Sequence, residues 1–350
     1  MFLKCLWAVA ASAALFGILP AKAENQIDRF GAVGVPNEFA CGSQSVDEWT
    51  RDIAKSDLRL RSNPNDAASL FVRSNAYSCM NDYERAISDL DKAIALRPDI
   101  PQMFYDRGIN YSMIRDYPHA VADFSQAIAL KPVYAQAYNN RGNAYAKLGY
   151  LDQAISDLST AVRLVPTYAD AFVNRGLIYA RKGDYGKAFS DYGDAIRLNP
   201  NDVNAYINRG ATYYAAADFK NAIADFDEVL ERDPTDSVAL LDRCDSRGMG
   251  NVDLDKAIDD CNRDLAARPG HINTLLARSL VYIRLGRYDD AIADASACLN
   301  QDGKRSDALF LRGIALLRKG DAVSGKADIA AARSIFVNID QRYLPAGIAP

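Results

Sequence analysis

The chain has 350 residues, 49% of them hydrophobic and 25% charged, which is enough apolar surface to build a core and excludes disorder throughout. Its 41 Lys plus Arg face 45 Asp plus Glu for a formal net charge of −4, and no long basic run occurs. That argues against nucleic acid as a partner, because the phosphate backbone rewards concentrated positive charge. The two histidines, His119 and His271, lie far apart, and no Cys-x-x-Cys, His-x-x-x-His or glycine-rich phosphate loop is present. No metal, no cofactor and no enzymatic activity are therefore expected.

Residues 1–23 begin with a short segment carrying Lys4, continue with an apolar run from Cys5 to Leu19 closed by Pro20, and end on Ala21-Lys22-Ala23. This is the layout of a secretory signal peptide, with Glu24 as the first mature residue. The apolar run is shorter than the roughly 20 residues that span a bilayer, so cleavage is favoured over an uncleaved anchor. Cleavage removes Lys4 and Lys22 and leaves a net charge of −6. The expectation is a secreted product in an oxidising space, best matched by the bacterial periplasm, with no integral membrane span after cleavage. The last residues, Gly347-Ile348-Ala349-Pro350, carry no endoplasmic-reticulum retention signal.

Residues 24–66 form an N-terminal segment in which Val46 to Leu60, followed by Pro64, reads as one capping helix. From there one arginine sets a period: Arg73, Arg107, Arg141, Arg175, Arg209 and Arg243 recur every 34 residues, then Arg278 after 35 and Arg312 after 34. The units are 67–100, 101–134, 135–168, 169–202, 203–236, 237–271, 272–305 and 306–339, and 340–350 reads as a tail. Each unit has apolar residues at helical spacing in two stretches of about a dozen residues, split by a turn such as Lys182-Gly183-Asp184-Tyr185 and closed by a proline. The pattern predicts an all-α fold of helical hairpins. A glycine in the first helix (Gly108, Gly142, Gly176, Gly210) costs roughly 1 kcal/mol against alanine. It makes sense where the large residue 16 positions on (Phe124, Leu158, Tyr192, Phe226) fills the space it leaves.

The small residue, the tyrosine three positions on (Tyr77, Tyr111, Tyr145, Tyr179, Tyr213, Tyr282), the alanine of the second helix (Ala86, Ala120, Ala154, Ala188, Ala222, Ala257, Ala291) and the closing proline (Pro98, Pro132, Pro166, Pro200, Pro234, Pro269) recur at fixed spacing. In these residues the chain resembles the tetratricopeptide repeat family. The resemblance implies a right-handed α-solenoid of about eight helix-turn-helix repeats, with a concave groove lined by first helices. It also implies a non-enzymatic scaffold or adaptor that binds a protein or peptide partner. A structural subunit of an envelope complex, using its edges or convex face, is the alternative. The carboxylate clamp of chaperone-binding members needs a lysine two residues before the ladder arginine, where this chain has Tyr105, Asn139, Val173 and Ile207.

Every ladder arginine has an aspartate 16 residues on, or 17 in the lengthened sixth unit, as in Arg107–Asp123, Arg141–Asp157, Arg175–Asp191 and Arg209–Asp225. A pair repeated in every unit reads as a structural salt-bridge ladder rather than a set of ligand sites. Asn140, Asn174 and Asn208 immediately precede three ladder arginines, flanked by Asp106 and Asp242 in neighbouring units. With Asn139, Asn143 and Asn204 they make an amide-rich candidate site. An amide offers both donor and acceptor to an extended peptide, and the pattern is similar to the asparagine ladders with which some tetratricopeptide proteins hold peptides.

Five cysteines remain beyond the signal peptide. Cys244 takes the glycine position of the sixth unit and Cys261 the facing large position, so a disulfide is expected there, compensating for a unit that carries Arg247 in place of the tyrosine and a turn at Gly248-Met249-Gly250. By elimination Cys41 pairs with Cys79. Cys298, in an alanine position of a second helix, is then a buried, inert thiol.

Overall fold

The computed structural model describes Cys41 and residues 45–350. The expected signal peptide and the first part of the N-terminal segment lie outside the described residues. Among the described residues every regular element is helical: eighteen α-helices and one 3-10 turn. None is long and apolar enough to cross a membrane. Helix α1 (Val46–Ser62) precedes eight hairpins: α2 (Ala67–Cys79) with α3 (Tyr83–Leu96), α4 (Pro101–Met113) with α5 (Tyr117–Leu130), α6 (Ala135–Lys147) with α7 (Leu151–Leu164), and α8 (Ala169–Arg181) with α9 (Tyr185–Leu198). The series continues through α10 (Val203–Ala215) and α11 (Phe219–Arg232), α12 (Ser237–Gly250) and α13 (Leu254–Ala267), α14 (Ile272–Arg284) and α15 (Tyr288–Gln301), and α16 (Ser306–Lys319) and α17 (Ala322–Ile335). The stretch read as a tail holds α18 (Ile339–Tyr343) and the 3-10 turn Leu344–Ala346.

Local chemistry sets the boundaries. Helix α1 opens with a capping box in which Ser45 and Glu48 satisfy each other's backbone N–H groups. Asp82, Asp116, Asp184, Asp218 and Asp321 sit in the hairpin turns, and each side chain accepts the N–H that opens a second helix. The residue that turns the chain out of the first helix adopts left-handed φ in hairpin after hairpin: Asn81, Arg115, Gly149, Gly183, Ala217, Asn251, Gly286 and Gly320. Glycine and asparagine tolerate that region, whereas Ala217, at φ 58°, carries a Cβ there.

The described residues form two compact units, one reaching Asn204 and the other running from Ala205 to Pro350. In the first, the first helices α2, α4, α6 and α8 pack on one another from hairpin to hairpin; in the second, α12, α14 and α16 do so. These helices make the inner face of each unit. Close helix approach inside a hairpin depends on the missing side chain. A Cβ at Gly176 would stand 2.9 Å from the Tyr192 ring, and one at Gly108 2.8 Å from Phe124. Both rings are fully buried.

The arginine ladder does more than close each hairpin. Nε and Nη2 of Arg175 fork onto Asp191 at 2.8 and 2.7 Å, while Nη1 reaches back to the Ser159 hydroxyl of the preceding hairpin at 3.2 Å. Arg107–Asp123 and Arg141–Asp157 repeat the fork, with Nη1 on Asp91 and Ser125 respectively. In the second unit, Arg209–Asp225 and Arg278–Asp294 repeat it, and Nη1 of Arg278 reaches Asn262. At the N-terminal end Nη1 of Arg73 bonds Asp57 of α1 at 2.5 Å, so α1 supplies the acceptor that a preceding second helix supplies elsewhere. The Asp191 hydrogen bond holds the Arg175 guanidinium charged, above its usual pKa. Burial pushes the Asp191 carboxyl up, opposed by that same arginine.

The sixth hairpin differs from its expected form. Gly248, Met249 and Gly250 are not a turn but the last residues of α12. Their glycines are packing positions, with Val281 2.9 Å from a Cβ at Gly248 and Phe219 2.8 Å from one at Gly250. The reversal falls instead on Asn251 and Asp253, both in left-handed backbone. Arg247, in place of the tyrosine, is buried and joins the ladder: it donates to the same Asp260 carboxylate that Arg243 holds. Cys244 and Cys261 are joined with Cα atoms 5.7 Å apart, and Cys41 is joined to Cys79 with Cα atoms 5.6 Å apart. Cys298 is free and fully buried, and burial pushes its thiol up to about 12.

Three outcomes follow from this packing. Arg175→Ala should destabilise the fold by about 3 kcal/mol at pH 7, since it leaves a buried carboxylate without its counter-ion. Without the arginine, burial alone acts on Asp191 and raises its carboxyl further above the unfolded value, so the folded state takes up a proton more readily than the unfolded chain. The deficit therefore shrinks as denaturant titrations are moved from pH 7 towards the ordinary carboxylate range. Ala217→Gly should stabilise by about 1 kcal/mol, read as a raised denaturation midpoint with unchanged slope. Of the five cysteines from Cys41 onward, alkylation followed by mass spectrometry should label none in the native oxidised protein, and Cys298 alone in denaturant without reductant.

Candidate peptide-binding face

The polar residues of the first unit's inner face come from the first helices of hairpins two to four. Asn139 and Asn140 on α6 and Asn174 on α8 are 0%, 3% and 4% exposed. Burial on that scale requires partners, and they find them in one another. Nδ2 of Asn174 donates to Oδ1 of Asn139 at 2.9 Å, Nδ2 of Asn139 to Oδ1 of Asn140 at 3.1 Å, and Nδ2 of Asn140 to the Tyr105 hydroxyl at 2.9 Å. All three bonds run in the same sense, from α8 through α6 to α4, and such chains polarise and strengthen their members. The step from Asn140 to Tyr105, like that from Asn174 to Asn139, is 35 residues. The residue two before a ladder arginine thus serves as acceptor for the amide one before the next.

Asn208 on α10 is 3% exposed, its carbonyl accepts the Thr212 hydroxyl at 2.7 Å, and its Nδ2 has no hydrogen-bond partner. Asn143 is half-buried and Asn204 exposed, so these two amides are the accessible members of the expected set. Asn143 shares a helix face with the exposed Lys147 four residues on. Of the six asparagines, Asn139, Asn140 and Asn174 are buried in the first unit, Asn208 is buried in the second, and Asn143 and Asn204 are within reach of solvent.

The floor extends to Gln102, an amide of the same enriched stretch, and to Tyr134, Ser78 and Asn110, which sequence reasoning did not single out for it. Gln102 donates to Asp106 at 2.7 Å and accepts from the Tyr134 hydroxyl at 2.7 Å, and the Tyr105 and Tyr134 rings lie 4.8 Å apart. Ser78 on α2 donates to Asn110 on α4 at 2.8 Å, and Asn110 donates to the Asp106 carbonyl. Gln102 and Tyr134 stand 32 residues apart, as do Ser78 and Asn110. That constant spacing between polar residues is the signal that could have located them.

The inner face of the second unit is organised by its own chain end. Tyr343 of α18 donates to Asp307 at 3.0 Å and stacks on Phe310 with ring centroids 5.2 Å apart, and Arg342 pairs with the same Asp307 at 2.9 Å. Further along, the Ala346 carbonyl accepts from Arg284 of α14, which also donates to the Met249 carbonyl of α12 at 3.0 Å. Ile339, Tyr343, Ala346 and Ile348 are buried. Their i, i+4, i+7 spacing was the available sequence signal for an amphipathic segment.

Comparison with known proteins agrees with this geometry. Tetratricopeptide repeat models match residues 67–100, 203–236 and 276–332, and a TPR repeat model matches 116–149, 143–183 and 176–216. A tetratricopeptide repeat protein from Parabacteroides merdae superposes with a TM-score of 0.55 at 17% identity, covering 71% of this chain and 98% of that one. The C-terminal part of a TPR repeat-containing protein from Cytophaga hutchinsonii gives 0.55 at 20% identity, covering 68% and 98%. At these identities the likeness is one of fold. A stretch of 53 residues is 43% identical to the peptidyl-prolyl cis-trans isomerase PASTICCINO1 of Arabidopsis thaliana, but it covers only 15% of this chain and 8% of that protein. With its repeats matched over more than half its length and its hairpins stacked as in solved members, the chain belongs to the tetratricopeptide repeat family.

Proposed function

We propose that this chain is an exported, non-enzymatic scaffold of the bacterial periplasm, and that it holds an extended segment of a partner protein on the inner face of its first unit. The tetratricopeptide fold is that of a protein–protein interaction scaffold. The observation that carries the finer reading is the one-way amide chain from Asn174 to Tyr105. It fixes the plane of each amide before any ligand arrives, so little side-chain entropy is left to lose on binding. Each of these asparagines keeps unused hydrogen-bonding capacity, and Asn143 adds an accessible amide beside them. A peptide backbone, whose donors and acceptors alternate, suits such a row.

The near-complete burial of Asn140 and Asn174 favours a second reading, in which the amides only fasten one first helix to the next and partners dock on the edges or convex face. The two readings separate at Asn143 and Lys147, which lie four residues apart on α6 and reach solvent. Asn143→Ala with Lys147→Ala, shown to be folded by circular dichroism, should reduce partner recovery from a native envelope extract at least tenfold. Recovery equal to wild type would move the function to another surface. Asn140→Ala, in contrast, should destabilise by about 1 kcal/mol through the loss of its hydrogen bonds.

A further inference from the structure

The chain end of the second unit does not continue the stack. A next hairpin would place its first helix against α17, but α18 packs on α16 and the 3-10 turn packs on α12. Residues 339–348 therefore run back over first helices, from the eighth hairpin across Arg284 of the seventh to the sixth. They thus lie along first helices, the elements that make the inner face. The means of attachment resemble recognition rather than capping. Asp307, 4% exposed, is held by two side chains of the tail, the Arg342 guanidinium and the Tyr343 hydroxyl. Tyr214 packs against the buried cluster that holds Phe310 and Tyr343, and its hydroxyl donates to Asp245 at 2.9 Å.

Phe310 receives the Tyr343 ring, and Arg284, which has no carboxylate among its hydrogen-bond partners, holds the tail backbone at Ala346. A cap that served stability alone would do as well with apolar contacts, because a buried ion pair roughly breaks even against well-packed hydrophobic residues. Directional bonds to one charge and one hydroxyl instead define a sequence and a register. Meanwhile Gln341, Leu344, Pro345 and Gly347 face solvent, and the tail meets the face through Ile339, Arg342, Tyr343, Ala346 and Ile348.

We propose that Asp307, Phe310, Tyr214 and Asp245 form a receptor for an arginine–aromatic pair, filled in the free chain by its own Arg342 and Tyr343, and that a partner segment carrying such a pair enters by displacing the tail. The inference rests on the scaffold reading but uses a different face from the amide row, so either can fail alone. With only Phe336, Val337 and Asn338 between α17 and α18, the tail competes at an effective concentration in the millimolar range.

The test uses the full chain and a fluorescent peptide of residues 338–350. Binding by Arg342→Ala/Tyr343→Ala protein should be at least tenfold tighter than by wild type, and adding Asp307→Asn should return it to the wild-type level. A peptide carrying both alanines should not bind. Equal binding by wild type and the double variant, no binding by a folded double variant, or binding indifferent to Asp307→Asn would each overturn the proposal. A concentration-dependent dimer of wild type in light scattering would also overturn it, reassigning the pocket to tail exchange between copies. If the alanine variant does not fold, Arg342→Gln/Tyr343→Phe carries the same comparison, since it keeps the ring stack and removes only the charge and hydroxyl bonded to Asp307.

Discussion

Everything in this molecule hangs on a guanidinium with three usable edges. Two of them fork onto an aspartate across the hairpin and set the register of its two helices. At Arg107, Arg141, Arg175, Arg243 and Arg278 the third reaches the second helix of the hairpin before, so the same side chain that closes one unit fastens it to the last. A single hairpin cannot bury its own apolar faces, and the third edge ties the polar bonds of one hairpin to the burial of the next. The arrangement also explains the N-terminal cap. Asp57 places a carboxylate where the stack would otherwise present Arg73 with nothing. At the other end the corresponding position is Ala330, which, like Gly193 before Arg209, offers no side-chain acceptor.

The two inner faces show what such a frame makes available. In the first unit the inner face is floored by buried amides that hold one another in a fixed sense. In the second the equivalent surface is covered by the chain's own last residues, fixed by one buried carboxylate. Both are polar constructions in places where apolar packing would be cheaper, and both depend on first helices kept in register by the ladder outside them. Tetratricopeptide folds serve many pathways, so the fold fixes the type of interaction and the side chains of these faces fix its object.

Much of the fold was legible because a repeated error is improbable: a glycine facing a ring, an arginine facing an aspartate, recurring on a period of 34, leave few alternatives. What was not legible was departure from the period. Arg247 read as the loss of a tyrosine, since nothing in the sequence says that two arginines will share Asp260. Gly248 and Gly250 read as a turn because glycine usually serves conformation, whereas here Val281 and Phe219 demand its smallness and Asn251 takes the left-handed residue. The asparagines were recognisable as a row but not as a buried one: whether an amide faces water or its neighbour depends on residues 35 positions away. The chain end was passed over because eleven residues with two prolines and a glycine resemble a loop, although the spacing of Ile339, Tyr343 and Ala346 is helical.

The order of the disulfides along the chain has a consequence of its own. Beyond residue 23 the cysteines come in the order Cys41, Cys79, Cys244, Cys261, Cys298, and each bond joins a cysteine to the next one along, leaving the last unpaired. Whenever such a chain meets an oxidant N-terminus first, the native partner is the next thiol to arrive. Each bond can close before a competing cysteine has appeared, so the correct connectivity is reached by sequential oxidation, with no wrong pairing to be undone by thiol exchange.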